Sequence, residues 1–547
     1  MTLWIASMEC AGIAEAGGVK NVTYSLCKEF SALNHKAILF IPVFGCNSWN
    51  DIKNLTEVGK VDISLCEKSE TVIYSKGLCI SGNFEVVFIN HKIFQEKEAI
   101  YTYTENEQAQ NPQHIKGNGH TDSLYMDSFF QKAVAAYCNF ADLSEKPDVI
   151  HCQDASTALI PAFIKQYDFF SKTNCVVTIH NAGPAYHHEF SSFDEAEFYT
   201  NLPPEILKNS QNGNRVEPFL IAANCNAKLT TVSEKYAKEI SNPENANSTD
   251  GLAPLFYSKK IKITGITNGF DFSRYNPSRK KESLLPFAFS PANLNLEGKY
   301  KCRSYFLKNT ASKNSKKIEG IKKYGFIEAD SGKEIFLCYH GRITSQKGIT
   351  VLTDSIPQIL NKNSNLRFVI AGQGEQSLEE KLISLSNSYP GKIMFLNGYE
   401  RLTVRLCTAI SDFIVLPSFF EPCGLEDFIA QTFATLPIAH KTGGLTKIID
   451  GKTGFLYEEN TAEKLSQKIL EVTDLFCTQN EKIKQMIQDA AIYVKKEFNW
   501  KNVIKKYYLP FFKKLKKIQK NDTSAIDQKI NSLYIIETFS NNQVADN

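Results

Sequence analysis

The sequence predicts an α/β protein made of two doubly wound parallel-sheet domains. Three observations support this reading. The chain has 547 residues, enough for roughly two to four domains at about 150 residues each. Apolar runs of strand length recur along it, each followed by a helical pattern, as expected of parallel strands covered on both faces. The runs also fall into two series, separated near residues 241–300 by a polar, irregular stretch containing NPENANS and YNPSRKKES. In such domains ligands sit at the carboxyl ends of the strands, here expected in the cleft between the two domains.

The first series comprises LWIAS (3–7), AILFIPV (37–43), VVFIN (86–90), DVIHC (148–152), CVVTIH (175–180) and KLTTVS (228–233). The second comprises EIFLCYHG (334–341), LRFVIAG (366–372), KIMFLNG (392–398), FIVLP (413–417) and LPIAH (436–440). The expected division is residues 1–264, residues 265–497, a terminal helix over 498–518 and a polar tail over 519–547 with the composition of a disordered segment. In the stretch YYLPFFKKLKK, helical spacing makes the lysines the wet side of that helix, the alternative being a nucleic-acid tail. No repeat of 20–50 residues is visible.

Composition excludes several classes. With 62 basic and 59 acidic residues the net charge is +3, which speaks against a nucleic-acid wrap or a strongly basic membrane face. No apolar stretch reaches the roughly 18 residues of a membrane span, and MTLWIASM lacks the basic start and apolar core of a signal peptide. The 14 cysteines form no C-x-x-C pair and no Cys/His spacing suited to zinc, so free thiols in a reducing, cytoplasmic compartment are expected.

Chemistry is expected in the turns that follow strands. After LWIAS comes Glu15-Ala16-Gly17-Gly18-Val19-Lys20-Asn21, a diglycine opening a helix. There, backbone N–H groups can approach an oxyanion, or simply form a tight turn. A second diglycine, in Thr442-Gly443-Gly444, again lies between strand and helix, which favours a ligand carrying a phosphate and a polar head. Arg342 and Lys347 share one loop after FLCYH; two close cations suit a diphosphate, or are two solvated charges. In Glu421-Pro422-Cys423-Gly424-Leu425, Glu421 can grip sugar hydroxyls or act as a helix-start acid, and Cys423 reads as packing. His180-Asn181 and His151-Cys152-Gln153-Asp154 end successive strands, and Asn268-Gly269 follows KITGI.

Taken in order, AEAGGVKNV, DVIHCQDAST, VTIHNAG, LTTVSEKYA, ITNGFDFSRYNP, HGRITSQKG, NGYE, SFFEPCGL, KTGGL and DGKTGF resemble the glycogen and starch synthases of glycosyltransferase family 5. That resemblance implies the two-domain GT-B fold, with an acceptor-side N-terminal domain, a nucleotide-sugar-binding C-terminal domain and a last helix that returns to the N-terminal one. It implies retaining transfer of glucose from ADP-glucose or UDP-glucose to the non-reducing 4-hydroxyl of an α-1,4-glucan such as glycogen, with no metal and no cofactor.

Carried over, Arg342 and Lys347 neutralise the diphosphate, and Glu421 holds the glucose hydroxyls. Thr442, Gly443 and Gly444 donate to phosphate and sugar, with Gly17 and Gly18 closing over them and Lys20 as the cation that restores the family's lysine from a neighbouring position. His180 contacts the sugar, and Asp154 and Asn268 flank the reacting centre. Tyr399 stacks on the base, with a core aromatic as its other reading, and Cys423, Gly424 and Leu425 complete the donor site. One departure stands out: Glu15 and Asn21 occupy positions where the family usually has Lys and Asp. An acid beside a diphosphate is repelled. Another GT-B transferase, or a catalytically impaired glucan-binding subunit, are the alternatives. Oligomeric state is left open by the sequence.

Overall fold

The structure is a computed structural model in which residues 1–315, 317–329 and 332–517 are described; the polar tail expected over 519–547 lies outside them. The chain forms two compact units. Among the described residues, the first contains 1–231, 240–266 and 504–517, and the second contains 232–239 and 267–503.

The first unit is built on a nine-stranded sheet. In chain order its strands are β1 (Thr2–Ala6), β2 (Lys36–Pro42), β3 (Ile52–Leu65), β4 (Lys68–Cys79), β5 (Phe84–Asn90), β6 (Val149–Gln153), β7 (Asn174–Ile179), β10 (Lys228–Thr231) and β11 (Ile263–Gly265). A two-residue ribbon, β8 (Gln211–Asn212) with β9 (Arg215–Val216), lies outside it. The order is β11-β10-β7-β6-β1-β2-β5-β4-β3, parallel except for β3 and β4. The chain steps outward from β1 on one side and from β6 on the other, so the switch point lies between β1 and β6.

Apolar continuity explains the central strands: Leu3, Trp4, Ile5, Ile38, Leu39 and Phe40 are fully buried. Trp4 packs on Phe40 at 4.5 Å and donates its indole N–H to the Glu145 carbonyl at 2.8 Å. The long hairpin β3–β4 carries no such signal, because Lys53, Glu57 and Lys60 of its edge strand are exposed, a charged edge that discourages further pairing. From Ile504 the chain joins this unit. Tyr508 and Phe512 pack on Phe30 at 6.4 and 5.9 Å and on His151 at 5.5 and 5.9 Å, while Lys505, Lys506, Lys513 and Lys514 are exposed.

The second unit has a seven-stranded sheet: β12 (Ile321–Gly325), β13 (Ile335–His340), β14 (Leu366–Gly372), β15 (Ile393–Gly398), β16 (Phe413–Leu416), β17 (Leu436–His440) and β18 (Phe455–Tyr457), in the order β12-β15-β14-β13-β16-β17-β18. All pairs are parallel except β12 with β15, and the six parallel strands have the 3-2-1-4-5-6 order of dinucleotide-binding sheets. Its core joins these strands to helix Ile349–Lys362, whose Ile349, Leu352, Ile356 and Ile359 face inward. Lys299 is buried beneath the sheet, where its ammonium donates to the carbonyls of Ala409, Ser411 and Phe433 and to Thr435 Oγ1 at 2.6–3.2 Å.

Candidate active site

In the second unit the loops that follow β13, β16 and β17 come from neighbouring strands, and the switch point falls between β13 and β16. Lys347, on the loop after β13, places Nζ 2.6 Å from Glu421 Oε2, on the loop after β16. Ser418 donates to the same oxygen at 3.0 Å. Burial alone would lower the Lys347 pKa, but the carboxylates of Glu421 and Glu426 outweigh it and hold the ammonium charged. Arg342, at the loop's start, is exposed and reaches Gln346 Oε1 at 3.4 Å, while its carbonyl accepts from Tyr339 Oη at 2.7 Å. The loop thus presents an exposed guanidinium fork, with one long hydrogen bond to Gln346, beside an anchored ammonium.

The diglycine after β17 behaves differently from expectation. The Gly444 amide donates to the Glu421 carbonyl at 2.8 Å, and the Gly443 amide to Glu239 Oε1 at 2.9 Å. Their donors are therefore spent on protein acceptors in this geometry instead of being presented to a phosphate. What the glycines supply is closeness: a Cβ on Gly444 would stand 2.0 Å from the Cys423 carbonyl oxygen, and one on Gly443 2.0 Å from that of Glu421. Thr442 Oγ1 is likewise engaged, donating to the Phe419 carbonyl at 3.2 Å. Lys447, which sequence reasoning missed, clamps the two loops. Its Nζ reaches the carbonyls of Cys423, Gly424 and Gly444 at 2.5–3.0 Å and Asp427 Oδ1 at 2.9 Å.

Helix Glu234–Glu239, from LTTVSEKYA, belongs to this unit, with Ser233 donating to the Pro422 carbonyl at 2.7 Å and Tyr236 against Phe420 at 5.1 Å. Cys423 is buried, which pushes its thiol up to about 11 and suits packing, not attack. Leu425 is half-buried and Gly424 has φ +72°. Asn268 is buried, with its carbonyl Oδ1 lacking a hydrogen-bond partner. Tyr399 follows β15 and is 66% exposed, which removes its reading as a core aromatic.

In the first unit the ends of β1, β6 and β7, again neighbours in the sheet, carry the polar groups. His180 Nε2 pairs with Gln153 Oε1 at 2.8 Å, and burial pushes its pKa down to about 3, so the imidazole is neutral. Asp154 has φ +66° and accepts the His180 amide at 3.0 Å; burial raises its carboxyl to about 7. Beneath Gly17 lies Glu9, also missed from sequence. It is buried, accepts the Ala16 amide at 3.2 Å, and is raised in pKa by burial. A Cβ on Gly17 would touch its Oε1 at 3.0 Å, whereas one on Gly18 would meet nothing within 4 Å. Lys20 is 3.0 Å from Glu15, whose other oxygen accepts the Gly12 amide at 2.8 Å. The acid that departs from the family pattern has thus captured the neighbouring cation.

The comparisons agree with this layout. Residues 2–254 match the profile "Starch synthase catalytic domain" and residues 321–492 the profile "Glycosyl transferases group 1". A glycogen synthase of Thermodesulfovibrio yellowstonii is 29% identical over 530 residues, 93% of this chain and 96% of that protein. A glycogen synthase of Mycoplasma mobile is 28% identical, covering 94% of this chain and all of the other. The catalytic domain of starch synthase IV from Arabidopsis thaliana, solved with ADP and acarbose, superposes with a TM-score of 0.75 at 21% identity over 94% of this chain and 99% of that one, which gives the GT-B fold.

Proposed function

We propose that this chain, which matches the starch synthase catalytic domain over residues 2–254 and the group 1 glycosyl transferases over residues 321–492, extends an α-1,4-glucan by transferring glucose from a nucleotide-glucose donor, ADP-glucose in preference to UDP-glucose, with retention at C1. The observation that carries this reading is the pair Lys347–Glu421 at 2.6 Å beside the exposed Arg342 fork. In the reaction the bond from C1 to the diphosphate oxygen breaks, the acceptor's 4-hydroxyl oxygen bonds C1, and its proton passes to the departing phosphate. The charge that develops is on the diphosphate, and fixed cations stabilise it most when they need not reorganise. Glu421 and Ser418 fix Lys347 for this task, and Arg342 adds a bidentate contact without a metal.

Glu421 is only 7% exposed and keeps an oxygen for sugar hydroxyls, and the exposed ring of Tyr399 suits a base. A neutral His180, whose one N–H is held by Gln153 Oε1, can meet a sugar hydroxyl as an acceptor without adding charge. The ADP preference draws on the ADP held by the Arabidopsis starch synthase of the same fold. A cytoplasmic location fits the 14 free thiols, and no helix among the described residues is long and apolar enough to cross a membrane.

Donor competition tests the reading: incorporation of labelled glucose into glycogen from ADP-glucose against UDP-glucose, with ADP-glucose expected to win. A small soluble product in place of polymer would point to another glycoside. The Glu15–Lys20 pair favours one second reading, a glucan-binding subunit with impaired catalysis. Glycogen binding with turnover of neither donor would establish that reading.

A further inference from the structure

We infer that the first unit holds a divalent transition-metal ion, of the zinc class, between His187, Glu189 and Glu217. This site stands apart from the donor chemistry and does not depend on it. His187 follows the short turn Pro184–Tyr186, and Glu217 directly follows β9. Two backbone hydrogen bonds of 3.0 Å between Phe190 and Val216 lock the neighbouring residues together, so Glu189 and Glu217 are presented side by side. One ligand atom from each of the three residues lies within 4.8 Å of the others.

Four features point to a metal ion instead of an ordinary polar cluster. First, His187 and Glu217 are completely buried, and His187 Nδ1 and Glu217 Oε2 have no hydrogen-bond partner. Leaving such atoms unmet is costly. Second, His187 donates Nε2–H to the Ala182 carbonyl at 2.9 Å, which fixes the ring and leaves Nδ1 facing the carboxylates. Metal-bound histidines are held in this way. Third, Nδ1 lies 3.5 Å from Glu217 Oε1 and 3.9 Å from Glu189 Oε2. The first separation falls among the edges of about 3.3–3.6 Å in a tetrahedron with zinc bonds of 2.0–2.2 Å, and the second is a few tenths of an ångström longer; Glu217 Oε1 also accepts from Asn212 Nδ2 at 3.1 Å.

The fourth feature is charge. Arg215 pairs with Glu189 at 3.1 Å and with Asp250. A divalent ion would bring the carboxylates of Glu189, Glu217 and Asp250 and the Arg215 guanidinium to neutrality with the imidazole uncharged. Mixed imidazole and carboxylate donors suit zinc, with water in the fourth position. The ion would staple the segment that continues from His180 to the start of helix Pro218–Asn224. The competing account is a plain His187–Glu217 ion pair, which needs a proton and no metal.

The test uses the full chain with the two exposed thiols removed by Cys46→Ser and Cys477→Ser. It is stripped with chelator, loaded with zinc, desalted and assayed for metal by mass spectrometry, with cobalt as a spectroscopic substitute. The expected result is one retained zinc per chain, a melting temperature raised by several degrees, and a visible cobalt band of tetrahedral type. Glu189→Gln can still accept from Arg215 and leaves the buried pair intact. It should retain the circular dichroism of the parent yet bind zinc at least about a hundredfold more weakly; His187→Ala should do the same if it folds. The inference is overturned if the parent retains no zinc, or if Glu189→Gln retains zinc as tightly as the parent.

Discussion

The two diglycine turns look alike as text and do opposite things. Gly443–Gly444 is a wedge: its amides are bonded inside the second unit, and its missing side chains let one loop lie directly on the backbone of Glu421 and Cys423. Gly17–Gly18 is a cover: Gly17 rests on a buried carboxylate, and Gly18 faces open space. The charges beneath differ in the same sense. The wedge supports an ammonium already matched to a carboxylate, while the cover lies over Glu9, near Asp154, two carboxyls raised in pKa by burial. One motif therefore wedges two loops together in one unit and caps a buried carboxylate in the other, and only the surrounding contacts decide which.

The sharpest way to break this contrast is at the matched pair. Lys347→Ala should cut turnover about a thousandfold or more, with folding intact, measured as glucose incorporation by the purified variant. Near-normal activity would remove the diphosphate assignment. Next, Gly444→Ala drives a methyl into the Cys423 carbonyl and should destabilise the second unit by roughly 2–4 kcal/mol in urea unfolding. Gly18→Ala, with open space around it, should stay within about 0.5 kcal/mol. Equal effects at the two sites would show the wedge and the cover to be the same thing.

Asp154 sharpens the comparison through pH. Its folded pKa of about 7 stands above the unfolded value of 3.8. Between those values the folded state keeps a proton that the unfolded state has lost. Stability should therefore fall as pH rises from about 4 to 7 and then level off. Asp154→Asn escapes this penalty while still accepting the His180 amide. It should gain on the order of 1–3 kcal/mol over the parent at pH 8 and much less at pH 5, read from urea midpoints. A gap that does not change with pH would mean Asp154 is ionised in the fold. The smallest effect is expected at the outer pair: Glu15→Ala frees Lys20 for an anion and should lower the donor KM a few-fold, with a stability change below about 1 kcal/mol.

Much of the scaffold was legible because buried parallel strands are continuous apolar runs. DVIHC, CVVTIH, EIFLCYHG and FIVLP declare themselves by composition, and their carboxyl ends or the turns after them carry Asp154, His180, Lys347 and Glu421. The β3–β4 hairpin was not legible, since its edge strand is exposed and charged and shows no clean alternation. Glu9 stayed hidden because a single acid among Met8 and Cys10 reads as an exposed residue until tertiary contacts bury it. Its one signal was its place between a buried strand and a glycine turn. The partners of the Gly443 and Gly444 amides were hidden for a similar reason: the first bonds Glu239, which arrives from a distant segment, and the second the Glu421 carbonyl of the loop after β16. Lys447, in turn, could not be told from the many solvated lysines without the three carbonyls it grips.

The packing of Tyr508 and Phe512 on Phe30 and His151 also bears on how the protein is made. The first unit needs residues from both extremes of its sequence. On a ribosome adding about 5–20 residues per second, its aromatic shelf therefore stays wet for roughly ten seconds to a minute while residues 267–503 are synthesised. During that interval the nascent chain displays an apolar surface whose own cover has not yet been translated, which makes it a natural client for a holding chaperone.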